Sequence, residues 1–378
     1  MIVLVYWNME KRGKNKTARP YALLTRRLII IIFLLVIHLL FRLLRNNRAV
    51  MNFMTDRVAH PVRGFIAWAC SVSRWSFAEW VVVFAALFAA VLIICFIAAL
   101  IKNPGRALMT VLRFLSLTAV LVLVISALMI LLWNVNYYAD NFSDKSGILP
   151  KESTADELYE TTRYIAGLLA ESSLKIARDQ DGFYAESTEA AFDLSATVFR
   201  GIQQQYPFLS GRELRSKKVL FSRFLSEIRT TGVAFPLTGE ANINIDQPAA
   251  WIPSTIAHEI AHQRKIASEQ EANFVAILAC EMSGNDAYRY SGYLFAYDYL
   301  AGALANADYR RFREISDTLP EEVLLDLRLN YEYWLNFENK ISEVSDSLYD
   351  DYLKTQGQDL GSKSYGAVVD LLIAYYSQ

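Results

Sequence analysis

The sequence predicts a multi-pass α-helical membrane anchor of three transmembrane helices, then a mainly α-helical soluble domain with a short strand or hairpin ahead of its key helix. Three observations carry this. Residues 80–101 and 114–133 run for 22 and 20 residues without a charge, each long enough to cross about 30 Å of hydrocarbon. Charge divides the chain at the same place: residues 1–139 hold 16 Lys+Arg against 3 Asp+Glu, whereas residues 140–378 hold 22 against 36. In the acidic part, apolar residues recur at three- and four-residue spacing over 154–176 and 321–353, the period of amphipathic helices. The expected division is an anchor over 1–139 and a soluble domain over 140–378.

The remaining span is the first in the chain, about 21–44. Its apolar core, Leu28–Phe41, is short and holds His38, but Tyr21–Leu24 and Leu43–Leu44 extend it if Arg26, Arg27 and Arg42 snorkel. Lys11, Arg12, Lys14, Lys16 and Arg19 ahead of an apolar run also fit a secretory signal peptide. No small-residue cleavage site follows, however, and Arg42, Arg45 and Arg48 come instead.

Three spans put the chain ends on opposite sides of the membrane. The basic N-terminus favours the cytoplasm, so the soluble domain is expected outside it, at the cell membrane. Arg42, Arg45, Arg48, Arg57, Arg63 and Arg74 around the first loop weigh against this, since the next connection has only Lys102, Arg106 and Arg113. The first loop, roughly 45–78, leads through Phe65, Trp68, Trp75 and Phe77 to Trp80. These suit a helix lying in the membrane interface, or one packed on the spans.

Composition narrows the function. A net-acidic domain without a basic stripe excludes nucleic acid as partner, and the basic flanks of the spans suit the anionic headgroups of a lipid bilayer. Cys70, Cys95 and Cys280 are too few for a disulfide framework or a cysteine metal site.

Chemistry concentrates in His258-Glu-Ile-Ala-His262, where two of the four histidines in the chain fall. Pro253 and Ser254 supply a helix start upstream. Imidazoles four residues apart share one helix face and can both reach one Zn²⁺, while Glu259, one position along, faces the water that attacks a carbonyl. Such a five-residue pattern arises by chance about once in a hundred chains of this size, so its surroundings must decide.

A catalytic zinc needs a third protein ligand and an open fourth position, and the soluble domain has no other histidine, so a carboxylate must serve. Glu269 and Glu271 are the nearest. On a straight helix Glu269 would lie about 10.5 Å past His262, so the chain must turn between them. Ser268-Glu-Gln-Glu271 has the form of a capping box that starts a new helix. If Glu271 reaches back to the Ser268 amide, Glu269 is the freer ligand, with Asn273 placed to orient it.

Tyr288, Arg289, Tyr290 and Tyr293 on the next segment are candidate oxyanion donors, although each tyrosine taken singly fits ordinary packing as well. Upstream, Val233, Phe235 and Leu237, then Ala241, Ile243 and Ile245, alternate about a Thr-Gly turn, which reads as a strand or hairpin over 232–246. It is either structural or an edge for an extended peptide, with Glu240, Asn242 and Asn244 as cleft-lining groups.

With these residues in view, the chain resembles the bacterial DUF3810 family of membrane proteins along nearly its whole length. The landmarks are LLWNVNYY (131–138), FPLTGEANIN (235–244), HEIAHQ (258–263), EQEANF (269–274), RYSGYL (289–294) and SYGAVVDLLIAYY (364–376). The resemblance implies a three-span anchor followed by a zincin-like domain. It also implies a likeness to peptidases that pair HExxH with a later E-x-x-A-[DN] segment whose first Glu binds zinc, which maps onto Glu269. One departure is Lys265, where family members look to have Gly three residues after the second His.

The leading expectation is a membrane-anchored zinc metallopeptidase with one Zn²⁺, cutting an envelope or membrane-proximal peptide or protein, with Glu259 as general base. The alternative is a non-catalytic membrane receptor or scaffold with a structural or relic zinc site. Glu259 separates the two, because a structural site has no use for a carboxylate beside its first histidine.

Overall fold

The computed structural model describes residues 19–150, 153–358 and 365–377. The N-terminal cations Lys11, Arg12, Lys14 and Lys16 lie outside them. Three helices are long and apolar enough to cross a membrane: α1 (Arg19–Leu44), α3 (Phe77–Lys102) and α4 (Ala107–Leu132). Between the first two lies α2 (His60–Cys70), preceded by a π-helical turn over Met54–Ala59.

The chain forms two compact units, one made of Val83–Ile130 with the chain up to Leu44, the other of Arg45–Val82 with Leu131–Gln378. Within the first, the polar groups of the apolar helices find partners, as expected where water is absent. Arg27 donates to the Arg113 carbonyl and the Ser116 hydroxyl, and His38 bonds the Ser126 hydroxyl at 2.8 Å.

The second unit is mainly helical. Its core joins α5 (Ala155–Ser173), α6 (Ile252–Gln263), α7 (Glu269–Glu281), α8 (Asp286–Ala307) and α11 (Tyr365–Tyr376). The apolar face of α5 puts Leu158, Ile165 and Leu169 inward, and a capping box at Thr154 starts it. Periodicity over 321–353 suggests one helix, but the structure has two, α9 (Glu321–Leu335) and α10 (Lys340–Thr355). Asn339 interrupts them, its side chain accepting from the Ile341 and Ser342 amides in a new N-cap.

A three-stranded sheet has the order β1 (Lys217–Lys218), β3 (Glu240–Ile243), β2 (Gly232–Phe235). The β2–β3 hairpin expected from the alternating pattern is present, with Phe235 opposite Glu240 and Gly232 opposite Ile243. Its turn residue Gly239 has φ +67° and packs so closely on the Arg63 carbonyl that a Cβ would fall 2.7 Å from it, so glycine is required twice over.

Residues 45–82, grouped with the anchor on sequence, pack with 131–378 instead. The reason is a set of buried polar ties. Arg63, 4% exposed, donates to the His262 and Gln263 carbonyls at 2.9 and 3.2 Å and stacks on Trp133 at 4.9 Å. Those carbonyls end α6 and have no partner within the helix. Glu240 accepts from the Phe77 and Ala78 amides at the start of α3, where the free N–H groups of a helix favour a carboxylate.

Arg63→Ala in the full chain should therefore cost about 1–3 kcal/mol, because the Gln263 carbonyl loses its side-chain donor and the His262 carbonyl keeps only its bond from the Lys265 amide, at 3.2 Å. Arg63→Lys should recover only part of this, because one ammonium cannot reproduce the guanidinium stacking. Thermal unfolding of the detergent-solubilised protein measures both.

Candidate metal centre

Helix α6 begins with Pro253 in its first turn and runs to Gln263, carrying His258 and His262 on one face with ring centroids 4.7 Å apart. The chain then reverses. Arg264 ends the helix, Lys265 takes a left-handed conformation at φ 79°, and Ser268 caps α7 by accepting from the Glu271 amide. This turn swings Glu269, first residue of α7, back onto the two histidines.

Three donor groups, two imidazoles and one carboxylate, result in one place. His258 Nε2 and His262 Nε2 are 3.1 Å apart, Glu269 Oε2 is 3.3 Å from His258 Nε2, and Glu269 Oε1 is 3.5 Å from His262 Nε2. Bonds of about 2.0–2.1 Å in a tetrahedral zinc site place neighbouring ligand atoms about 3.3 Å apart, so the three residues fit such an ion. His262 Nδ1 bonds the Ile266 carbonyl at 2.7 Å, which leaves Nε2 facing the cluster. His258 Nδ1 is buried with no hydrogen-bond partner among the described residues.

Electrostatics match the geometry. Burial works to raise the Glu269 carboxyl, but His262 and His258 outweigh it and hold it well below the ordinary carboxylate range. Burial works to lower His262, and Glu269 carries it up to about 9 instead. Trp133 lies edge-on to His262 at 5.6 Å, which links the end of α4 to the site.

Glu259 is buried at 3% exposure, and desolvation raises its carboxyl above the usual value. It accepts from the Ala234 amide and lies against Gly232, where a Cβ would come within 2.7 Å of Oε1. Edge strand β2 therefore reaches the site by its backbone.

A cleft of about 360 Å³ opens beside His258 and Glu269, lined also by Thr231, Gln247, Asn273 and Asp298. From α10, the Tyr349 hydroxyl donates to Glu269 Oε1. Nothing local announces Tyr349, 80 residues from Glu269 in sequence.

Several residues expected here work elsewhere. The buried Glu271 carboxylate does not reach back to Ser268 but accepts from the Phe142 and Ser143 amides, both at 3.0 Å, so only half of the capping box forms. Asn273 lines the cleft but donates to the Tyr299 hydroxyl. Tyr290 bonds Asp326, Tyr293 bonds Glu281, Tyr288 bonds the Ala191 carbonyl and Arg289 pairs with Asp286. Glu240 caps α3, Asn242 donates to the Val233 and Glu240 carbonyls, and Asn244 donates to Ser226 and the Thr230 carbonyl. Each was expected from its place in the chain, and folding gave each a different partner, from two residues away for Asn242 to 162 for Glu240.

A family model described as a protein of unknown function, DUF3810, matches residues 55–373. The chain belongs to the DUF3810 family. No curated protein and no solved structure matches it. The resemblance drawn from the sequence landmarks thus holds at the level of the family. The DUF3810 match starts within the loop before α2 and takes in that loop, both later spans and the helical domain.

Lys265 sits at φ 79°, in a backbone region that costs most side chains about 1–2 kcal/mol. Its ammonium pairs with Asp56 of the π-helical turn at 2.8 Å, which offsets part of that cost. Lys265→Gly should be neutral or stabilising. Asp56→Ala should destabilise the wild type by about 0.5–1 kcal/mol and have no effect in the Lys265→Gly background, as read by a double-mutant cycle of thermal melts.

The His262–Glu269 pair predicts a pH signature for chelator-treated protein. A histidine raised from 6.5 to about 9 stabilises the fold fully below 6.5, and that contribution is lost as pH rises through about 9. The melting temperature should fall over that window, and the fall should vanish in Glu269→Gln.

Proposed function

We propose that this DUF3810 protein is a membrane-anchored zinc metallopeptidase of zincin type, with His258, His262 and Glu269 as ligands and Glu259 as general base. The observation that carries the reading is the set of three donor separations, 3.1, 3.3 and 3.5 Å, made by residues from two helices. The placement of Glu259 beside that cluster, buried yet not bonded to a cation, adds to it.

When bound, zinc supplies Lewis acidity that polarises the scissile carbonyl and lowers the pKa of a water towards about 7. Glu259 takes the proton of the attacking water and hands it to the leaving amine. Its raised pKa suits both transfers, because a carboxyl that is hard to ionise in the dry site also releases and regains a proton nearer neutral pH. The Ala234 amide holds the Glu259 carboxylate in place, and Gly232 leaves room for it. The Tyr349 hydroxyl, once released from Glu269, is a donor for the oxyanion.

With α1, α3 and α4 all spanning, the first loop and the helical domain share a side, opposite the start of α1. Arg48 pairs with Asp140 and Asp144, and Arg63 is committed to α6. Those cations therefore serve the domain, which supports an extracytoplasmic placement.

Metal analysis by mass spectrometry on the full chain in detergent, with hydrolysis of a peptide library on the same samples, tests the reading. Wild type should hold one zinc. His262→Ala and Glu269→Ala should lose it, whereas Glu259→Gln should keep the metal and lose hydrolysis by about 10²–10⁴-fold. Gly232→Ala, which pushes on the same carboxylate, should also keep the metal and lose rate. Zinc bound without hydrolysis in wild type would favour a receptor or scaffold with a structural site.

A further inference from the structure

Outside the metal centre, the helical domain carries a run of exposed apolar side chains between β1 and the hairpin. Leu220, Phe221 and Phe224 are 50%, 59% and 61% exposed, three large apolar groups within five residues. Single exposed apolar residues are ordinary, but a contiguous group marks a surface meant to be covered.

What covers it follows from where it is tied. Glu79, in the first turn of α3, accepts from the Leu220 amide at 2.9 Å and the Phe221 amide at 2.8 Å. Directly after Glu79, α3 runs from Trp80 to Ile101 without a charge. Those 22 residues rise about 33 Å, the full depth of a bilayer's hydrocarbon. With only about two residues to spare, Glu79 stands at the water boundary, and the backbone it holds stands there with it. The side chains of Leu220 and Phe221 then reach into the interface.

Further bonds hold the same segment. Lys217 donates to the Cys70 and Ser73 carbonyls, and Trp75 pairs with Lys218 as a parallel bridge, so β1 is zipped to the residues leading into α3. The same lead-in exposes Trp68 and Trp75, the residue type that collects at the headgroup level. Arg74 and Arg223 flank the aromatics in the chain, both more than two-thirds exposed; Arg74 pairs at 3.4 Å with Glu189, and Arg223 lies near Glu227 and Asp246.

We propose that Leu220 and Phe221, in the turn after β1, and Phe224, in the short helix Ser222–Glu227 that follows, form a membrane-dipping segment of the helical domain, seated in the bilayer interface beside the first turn of α3. The helical domain then has a lipid contact of its own in addition to the spans. The proposal depends on α3 spanning a bilayer and is independent of the peptidase reading.

The test uses the full chain in nanodiscs of zwitterionic and anionic phospholipid, with Cys70 and Cys95 replaced by alanine and the buried Cys280 left in place. A nitroxide is attached at Phe221→Cys, at Phe224→Cys, at Trp80→Cys as the interface marker and at Leu174→Cys on an exposed helix end. Power saturation compares access of oxygen, which concentrates in lipid, with that of a water-soluble nickel chelate. The oxygen-to-nickel ratio at 221 and 224 should match that at 80 and exceed that at 174 several-fold, with melting temperatures unchanged among the variants. A ratio at 221 and 224 equal to that at 174 would place the segment in water and overturn the proposal. Exclusion of both reagents with spin–spin broadening between copies would overturn it too, by showing that a second chain covers the segment.

Discussion

Everything at the candidate centre hangs on the five-residue reversal between α6 and α7. A helix can bring two histidines together by itself, but a third donor seven residues further on needs the chain to double back. The reversal is held from outside the two helices and by a cap of its own. Lys265 sits in a left-handed backbone against Asp56, Arg63 takes the His262 and Gln263 carbonyls, and Ser268 opens the next helix. The Ile266 carbonyl, exposed by the reversal, in turn orients His262.

Two of those supports, Asp56 and Arg63, come from the loop between the first two apolar helices. That loop is therefore part of the domain and not a passive connection. It reaches the site in a second way, through Arg63 over the Trp133 ring and the edge-on contact of Trp133 with His262. The helical domain reciprocates, because Glu240 and Glu79 tie the start of α3 to β3 and to the 220–224 segment. Buried charges are costly unless paired, and Arg63, Glu240 and Glu79 each find their partners in segments more than a hundred residues away.

Legibility followed interaction range. The apolar helices, the hairpin, the histidine pair and the Ser268 cap were readable because each rests on spacing within a few residues. Reading Ser268–Glu271 as a capping box led to Glu269 as the ligand, and the geometry brings Glu269 to the histidines, but by a different division of labour: Glu271 is occupied at Phe142 and Ser143. Lys265 was legible as an oddity, and its positive φ explains why glycine suits that position. Tyr349 and Gly232 gave no signal, since one is among 21 tyrosines and the other among 16 glycines.

By itself the sequence determined three apolar spans, a helical acidic domain, one HExxH helix and a new helix at Ser268, all properties set by local periodicity, capping and charge. Only the tertiary structure decided which carboxylate meets the histidines, which ones instead cap distant helices, and that residues 45–82 belong to the helical domain. The physical reason is that a buried polar group must find a partner, while its own neighbours in sequence do not say which one. That choice is made by the packing of the whole chain.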